Sequence, residues 1–379
     1  MRIISVVILV ASLAAALAQA ASASATDLVS WNPQKAANYL DHRIEWWMAW
    51  PATARSHGTF CVSCHTALPY ALARPRLRES LGEAALSVQE KALLGSVTRR
   101  VRLWKDVQPF YVDLTDGQGT TARARGTEAV LNALILASCE ARGGVLSDDA
   151  RAAFENMWEL QRTTGEQVGS WWWLQFGNEP FEAHDSQYYG AGLAAVAAAA
   201  APESYRSAPR IQKHLSLLRD YLNREYPRQS SINHVVLLWA SVNWPGLIQP
   251  ERRRAILDEI VATQHTDGGW NLASLTWTWR DWSLRSLVKM FARSYGTPLV
   301  GESDGYATAL IAFVLAQAGV HRSDPLLKRA LAWLVRKQNP REGFWLSYSL
   351  NNRRDPSSPT GRFMSDAATA FAVLALSRD

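Results

Sequence analysis

The sequence predicts an all-α protein, an (α/α)6 toroid in which six helix pairs close around one axis as a single domain. Three observations carry that prediction. Helical periodicity recurs in pairs, each a polar amphipathic helix followed by an almost uniformly apolar, Ala-rich one. No run of alternating residues is long enough for a sheet. The pairs follow one another with no atypical polar cap at either end, whereas an open solenoid needs such caps. A helix that is polar on one side belongs on an outer ring, and one that is apolar all round must be enclosed.

The pairs are read off in order. The first joins a helix over 34–48 to one starting near His65 and running to about Arg74. The second joins 89–104 to 125–140, and the third joins 148–161 to 186–200 through Gly169-Ser170-Trp171. The fourth joins 210–224 to 231–243, and the fifth joins 251–264 to 304–318 through Gly268-Gly269-Trp270. The sixth is the clearest. Its outer helix, Pro325 to Lys337, places Leu326, Leu327, Ala330, Leu331, Leu334 and Val335 on one face. A loop with Gly343 and Trp345 follows, then an apolar helix from about Asp366 to Leu376.

These loops carry a motif. Gln264-x-x-x-Gly268-x-Trp270 has the form Q-x-x-x-G-x-W; Gln338…Gly343-x-Trp345 repeats it with one extra residue, and Gln161…Gly169-x-Trp171 with a longer insertion. In this the chain resembles the terpenoid cyclase/prenyltransferase toroids, the squalene-hopene cyclases among them. The resemblance covers residues 89–379, with 34–75 as a degenerate first repeat. It implies the toroid, and a structural role for the motif, in which the Gln ends an outer helix and the Trp stacks over it. It also implies where cyclase chemistry should be visible. Squalene-hopene cyclases protonate their substrate with an Asp of a D-x-D-D motif, and neither that motif nor a diphosphate-binding D-D-x-x-D occurs here. The only adjacent aspartates, Asp148-Asp149, begin an outer helix after Ser147. Protonating an alkene requires an acid held neutral and aimed by its neighbours, so the fold is expected without the usual cyclase acid.

Residues 1–25 have the form of a cleaved secretory signal peptide: Arg2, an apolar stretch from Ile3 to about Leu17, then Ala18-Gln19-Ala20 and Ala21-Ser22-Ala23. The toroid domain is then 26–379. Export implies an oxidising, periplasmic or extracellular compartment. The formal net charge of +6 falls to +5 without Arg2, and the basic residues are spread along the chain. That pattern gives no stripe for nucleic acid. A pI near 9.3 is compatible with acidic partners or a membrane surface.

The chemistry concentrates in one short run, Cys61-Val62-Ser63-Cys64-His65. C-x-x-C-H is the attachment site of a c-type haem: both thiols form thioethers with the porphyrin, and the next residue supplies the proximal imidazole. A zinc site would show a second Cys or His pair at short spacing, and a thioredoxin-like dithiol a βαβ pattern nearby; neither is present. The expected cofactor is one covalent haem c on Cys61 and Cys64, with His65 as iron ligand. Cys139, in an apolar run, is expected to be a buried free thiol.

In a toroid the inner-helix N-termini share one end of the ring. They bring together His65, Arg125, Glu128, His184, Asp185, His234, Asp304 and Asp366, and place the haem at the cavity mouth. Each has a plain structural reading. Asp304 after Ser303, and Asp366 after Ser365, fit a cap followed by an acid in the first helical turn, worth about 0.3–1 kcal/mol. Asp185, Asp304 and Asp366 are the catalytic candidates if the cavity turns over a substrate. His184, oriented by Asp185, is the candidate sixth ligand, with His234, His57, Met48, Met364 or an open position as alternatives.

Of the seventeen tryptophans, nine cluster at 46, 47 and 50, at 171–173, and at 277, 279 and 282. Trp173, Trp277, Trp279 and Trp282 exceed what the loop motif uses, and suit a cavity wall or plain packing. The expected role is redox: electron transfer with a partner protein, or oxidation of an apolar, isoprenoid-type ligand. The alternatives are a terpenoid cyclase-like isomerase, a carbohydrate-active toroid with two facing carboxylates, and a binding module without turnover.

Overall fold

The computed structural model describes residues 30–107, 117–140, 144–176, 178–183, 186–276, 302–350 and 354–377. The chain divides into residues 1–31 and a compact unit of residues 32–379. The leader expected over 1–25 lies outside the described residues.

The six pairs are present. The outer helix α1 (Pro33–Ala49) is followed by a two-strand hairpin, β1 (Ala54–Arg55) and β2 (Thr59–Phe60), and by the inner helix α2 (Ala67–Leu81). Next come α3 (Val88–Arg102) with α4 (Gly117–Glu140), and α5 (Asp148–Glu159) with α6 (Ser186–Ala200). A one-turn helix, α7 (Glu203–Arg206), precedes α8 (Pro209–Glu225) and its inner partner α9 (Ser231–Val242). Then α10 (Pro250–Ala262) leads through the short α11 (Leu272–Thr276) to α12 (Gly305–Gln317). Finally α13 (Pro325–Lys337) pairs with α14 (Phe363–Leu376).

Inner and outer helices bury what their patterns dictate. The outer α8 buries a stripe, Ile211, Leu215, Leu218, Tyr221 and Leu222. The inner α12 buries every residue from Gly305 to Leu315. The inner helices pack in sequence, α2 on α4, α4 on α6, α6 on α9, α9 on α12 and α12 on α14, and α14 packs back on α2. The ring is therefore closed.

The Gln/Gly/Trp loops show how neighbouring repeats are clasped. Gln264 Nε2 donates to the carbonyl of Gly268 in its own loop and to that of Leu326 on α13, each at 2.9 Å. Gln161 makes the same two bonds to Gly169 (3.2 Å) and to His214 of α8 (3.0 Å). Gln338 bonds Gly343 (2.9 Å) and Asn32, the N-cap of α1 (3.0 Å). The last clasp joins the final repeat to the first. Each Trp indole caps its outer helix: Trp171 donates to Met157, Trp270 to Ile260 and Trp345 to Leu334. The glycines are required twice over at Gly169 and Gly268. Both have φ of 98°, and a Cβ would fall 2.1 Å from the Leu217 carbonyl oxygen and 2.7 Å from that of Arg329.

Several boundaries differ from the sequence reading. α2 does not stop at Arg74 but runs through Pro75 to Leu81, where Gly82 in the left-handed region ends it. Arg74 spans the proline turn with ion pairs to Asp41 (3.0 Å) and Glu83 (2.7 Å). α4 begins at Gly117 instead of 125, and α14 at Phe363 instead of Asp366. The hairpin, α7 and α11 are too short to leave a periodic signal.

An aromatic cluster lies between the inner helices, and towards their C-terminal ends all six line a cavity of about 210 Å³. Phe181 packs edge-on against Tyr189 and Tyr306, with centroids 5.9 and 5.3 Å apart. Tyr306 continues to Phe371 at 5.9 Å, and Phe371 to Phe313 and Trp239, each at 6.0 Å. Offset and edge contacts of this kind are the favoured aromatic geometries.

Candidate functional site at the mouth of the ring

The Cys61–His65 segment is fixed from three sides. The Cys61 N–H donates to the Thr53 carbonyl at 2.8 Å, and the Trp47 indole donates to the Cys61 carbonyl at 2.7 Å. Ser63 Oγ accepts from the N–H groups of Thr66 (3.2 Å) and Ala67 (2.9 Å), serving the unpaired donors that open α2. Thr59, two residues before Cys61, accepts from Arg100 Nη1 at 2.7 Å, and Arg100 is itself paired with Glu128 of α4. The hairpin that delivers Cys61 thus hangs on a buried ion pair of the second repeat.

His65 is buried among rings. Phe363 stacks on the imidazole at 4.0 Å between centroids, Trp47 meets it edge-on at 5.1 Å, and Phe181 lies at 6.3 Å. Trp50 packs against both Trp47 and Phe363, extending the wall. Burial holds the His65 pKa well below its usual value, with Arg354 and Arg43 adding to the effect, so the ring is neutral at neutral pH. His65 Nδ1 lies 2.9 Å from Thr66 Oγ1. Thr66 Oγ1 donates to Asp366 Oδ2 at 2.8 Å. Asp366 also accepts from Tyr39 Oη (2.9 Å) and from Arg43 through Nε (2.7 Å) and Nη2 (2.9 Å). Burial raises the Asp366 carboxyl, while Arg43, Thr66 and Tyr39 oppose that rise. Burial alone would lower Arg43, but Asp366 lifts it above its ordinary value. His65 therefore shares one end of the ring with Asp366, as the repeat register requires.

Both thiols are electrostatically quiet. Burial pushes Cys64 well up, and the carboxylate of Glu182 adds to this. Burial likewise raises Cys61, against the pull of Arg55 and Arg100. A dithiol redox centre lowers a thiol pKa to make a thiolate nucleophile, and this environment does the opposite. Glu182 was not singled out in the sequence, because an isolated Glu in a loop carries no motif. Its carboxyl is buried and raised by that burial, opposed by the Asn178 amide at 2.8 Å and by Arg354. A raised carboxyl binds its proton more tightly in the folded state, so its stabilising contribution is present below about pH 4.5 and is lost as pH rises through the folded value. Glu182→Gln should remove that loss. Its gain in melting temperature over the wild type should be larger at about pH 8 than at about pH 4. A difference independent of pH would contradict the assignment.

The other expected residues are distributed as follows. Asp304 is itself the N-cap of α12, accepting from the N–H groups of Tyr306 (2.9 Å) and Ala307 (3.0 Å), from Leu272 N–H, and from Ser347 Oγ (3.0 Å). The sequence reading put the cap one residue earlier, at Ser303. Asp366 is an acid in the first turn of α14, as expected, but the N-cap is Arg362 and not Ser365, and the carboxylate also holds a buried ion pair with Arg43. Arg125 stacks over Trp104 at 4.7 Å. His234 has both ring nitrogens engaged, with Glu259 at 2.8 Å and the Tyr226 carbonyl at 3.2 Å. His57 is exposed on the hairpin, Met48 is half-buried and Met364 is buried in α14. His184, Asp185, Trp277, Trp279 and Trp282 lie outside the described residues. Trp173 is fully buried against Gly190 and donates to the Phe181 carbonyl at 2.8 Å, which fixes the loop bearing Phe181 and Glu182. Cys139 corrects the sequence reading: it is exposed, because it lies in the last turn of α4, although the protein packed around it still pushes the thiol pKa up to about 11.

Cys61, Cys64 and His65 are the residues that could hold a covalent haem. Two thiols and one imidazole stand on a single anchored loop, the imidazole has Nδ1 engaged by a hydroxyl, and the flanking wall is aromatic.

Comparison with known proteins bears on the fold. A solved structure of a glycosidase point variant matches with a TM-score of 0.50 at 13% identity, covering 90% of this chain and 96% of that one. At that identity the likeness concerns architecture, and it agrees with an all-α toroid. No family model and no curated protein matches the chain.

Proposed function

We propose that the protein is an exported c-type haem protein built on an (α/α)6 toroid, with a redox role. The observation that carries this reading is the anchored Cys61-Val62-Ser63-Cys64-His65 loop, whose buried, neutral imidazole has Nδ1 engaged with Thr66. Cys61 and Cys64 would hold the haem covalently and His65 would ligate its iron. The bound group would supply one-electron chemistry at the ring mouth. Trp47, Trp50 and Phe363 exclude water from His65, and Phe181 lies beside it. Phe181, Tyr306 and Phe371 pack together beside His65, and an apolar or isoprenoid ligand would be met at the mouth. A redox partner protein or a membrane surface would approach the same end. His184 stays the candidate sixth ligand. The cyclase-like alternative needs Asp185, Asp304 or Asp366 as a proton donor; Asp304 and Asp366 are tied to structural donors.

The experiment is an absorption spectrum of the purified exported protein, oxidised and reduced. A reversible change in the haem bands is expected, and a colourless protein would contradict the proposal. A second reading, carbohydrate hydrolysis, is supported by the fold likeness to a glycosidase; it needs two facing carboxylates, of which the buried Glu182 would be one. Under that reading, oligosaccharide cleavage should persist in Cys61→Ala/Cys64→Ala and vanish in Glu182→Gln.

A further inference from the structure

The hydrogen bonds behind His65 run in one direction. Asp366 accepts from the Arg43 guanidinium on both of its oxygens, so the pair sets it as an acceptor. The Thr66 hydroxyl must then spend its single proton on Asp366 at 2.8 Å, which leaves its lone pairs to face His65 Nδ1 at 2.9 Å. Nδ1 is thereby required to carry the hydrogen, and the lone pair of the neutral ring falls on Nε2. Phe363 stacked on one face and Trp47 at the edge hold the ring plane. The chain of contacts also crosses the seam of the toroid: Tyr39 and Arg43 come from α1, Thr66 from the start of α2, and Asp366 from α14.

We propose that Asp366, acting through the Thr66 hydroxyl, is a positioning residue that fixes the tautomer and donor strength of His65, and through them the reduction potential of the iron that His65 ligates. The inference rests on the haem reading above. An anionic acceptor relayed to the far nitrogen of a ligating imidazole orients the ring and makes it a stronger donor, which favours the ferric state and lowers the potential. The seam of the ring and the proximal ligand are then one device.

The test uses the haem-loaded full chain. Thr66→Val keeps the side-chain shape and removes the hydroxyl; its midpoint potential should rise, and Thr66→Ser should return it towards the wild type. Asp366→Asn, read well below its melting temperature, should shift the potential with the same sign, and the double variant should go no further than Thr66→Val alone. In the ferrous wild type the His65 Nδ1 proton should exchange slowly with solvent in NMR spectra, and rapidly in Thr66→Val. A folded, haem-loaded Thr66→Val with an unchanged potential overturns the inference while leaving the haem reading intact. So does a wild-type Nδ1 proton that exchanges as fast as one open to water, a measurement that needs no variant. A chain that carries no covalent haem overturns both together.

Discussion

Asp366→Ala should cost about 3–5 kcal/mol of folding stability, because it strands the buried Arg43 guanidinium without its counter-charge. The side chains of this pair are 4% and 1% exposed, so solvent does not screen the loss. The Tyr39 and Thr66 hydroxyls lose their acceptor as well. The seam where α14 meets α1 and α2 should open first. A denaturant midpoint measured with the slope checked for two-state behaviour reads the effect. Replacing both charges, as Arg43→Met/Asp366→Leu, should recover a large part of it, since an apolar pair leaves nothing unpaired. The sequence reading of Asp366 as a helix-end acid sets the cost at about 0.3–1 kcal/mol, so the measured size separates the two accounts.

Under the proposed haem reading, His65→Ala should abolish redox turnover and remove the imidazole-ligand signature from the spectrum, while a haem held by Cys61 and Cys64 would stay attached. The structural penalty should be modest by comparison, because Thr66 still bonds Asp366 and Trp47 still anchors the Cys61 carbonyl. An unchanged reversible potential in His65→Ala would remove His65 from the iron.

Much of the architecture was legible because inner and outer helices differ along their whole length. The boundaries of α6 and α13 are those the periodicity gives, and Gln264, Gly268 and Trp270 announce a clasp whose geometry repeats at Gln338. Where the signal was local and side-chain borne, it was not. Pro75 reads as a stop, yet Arg74 carries α2 past it through Asp41 and Glu83, residues distant in sequence or hidden in a loop. Asp366 reads as a helix-end acid because its partner, Arg43, lies 323 positions away. Glu182 and Phe363 bear no motif and are recruited to the mouth only when the ring closes. The Trp46, Trp47 and Trp50 cluster was visible, but its place as the wall beside His65 follows from α1 packing against α14.

The most direct measurement of the central claim is whether pigment stays with the polypeptide. Protein exported alongside a cytochrome c maturation system should keep its haem through acid–acetone extraction and show the mass of one added haem. Cys64→Ala should retain at most one thioether and a red-shifted reduced α-band. Complete release of the pigment from the wild type, or an exported chain that never acquires any, would contradict the account.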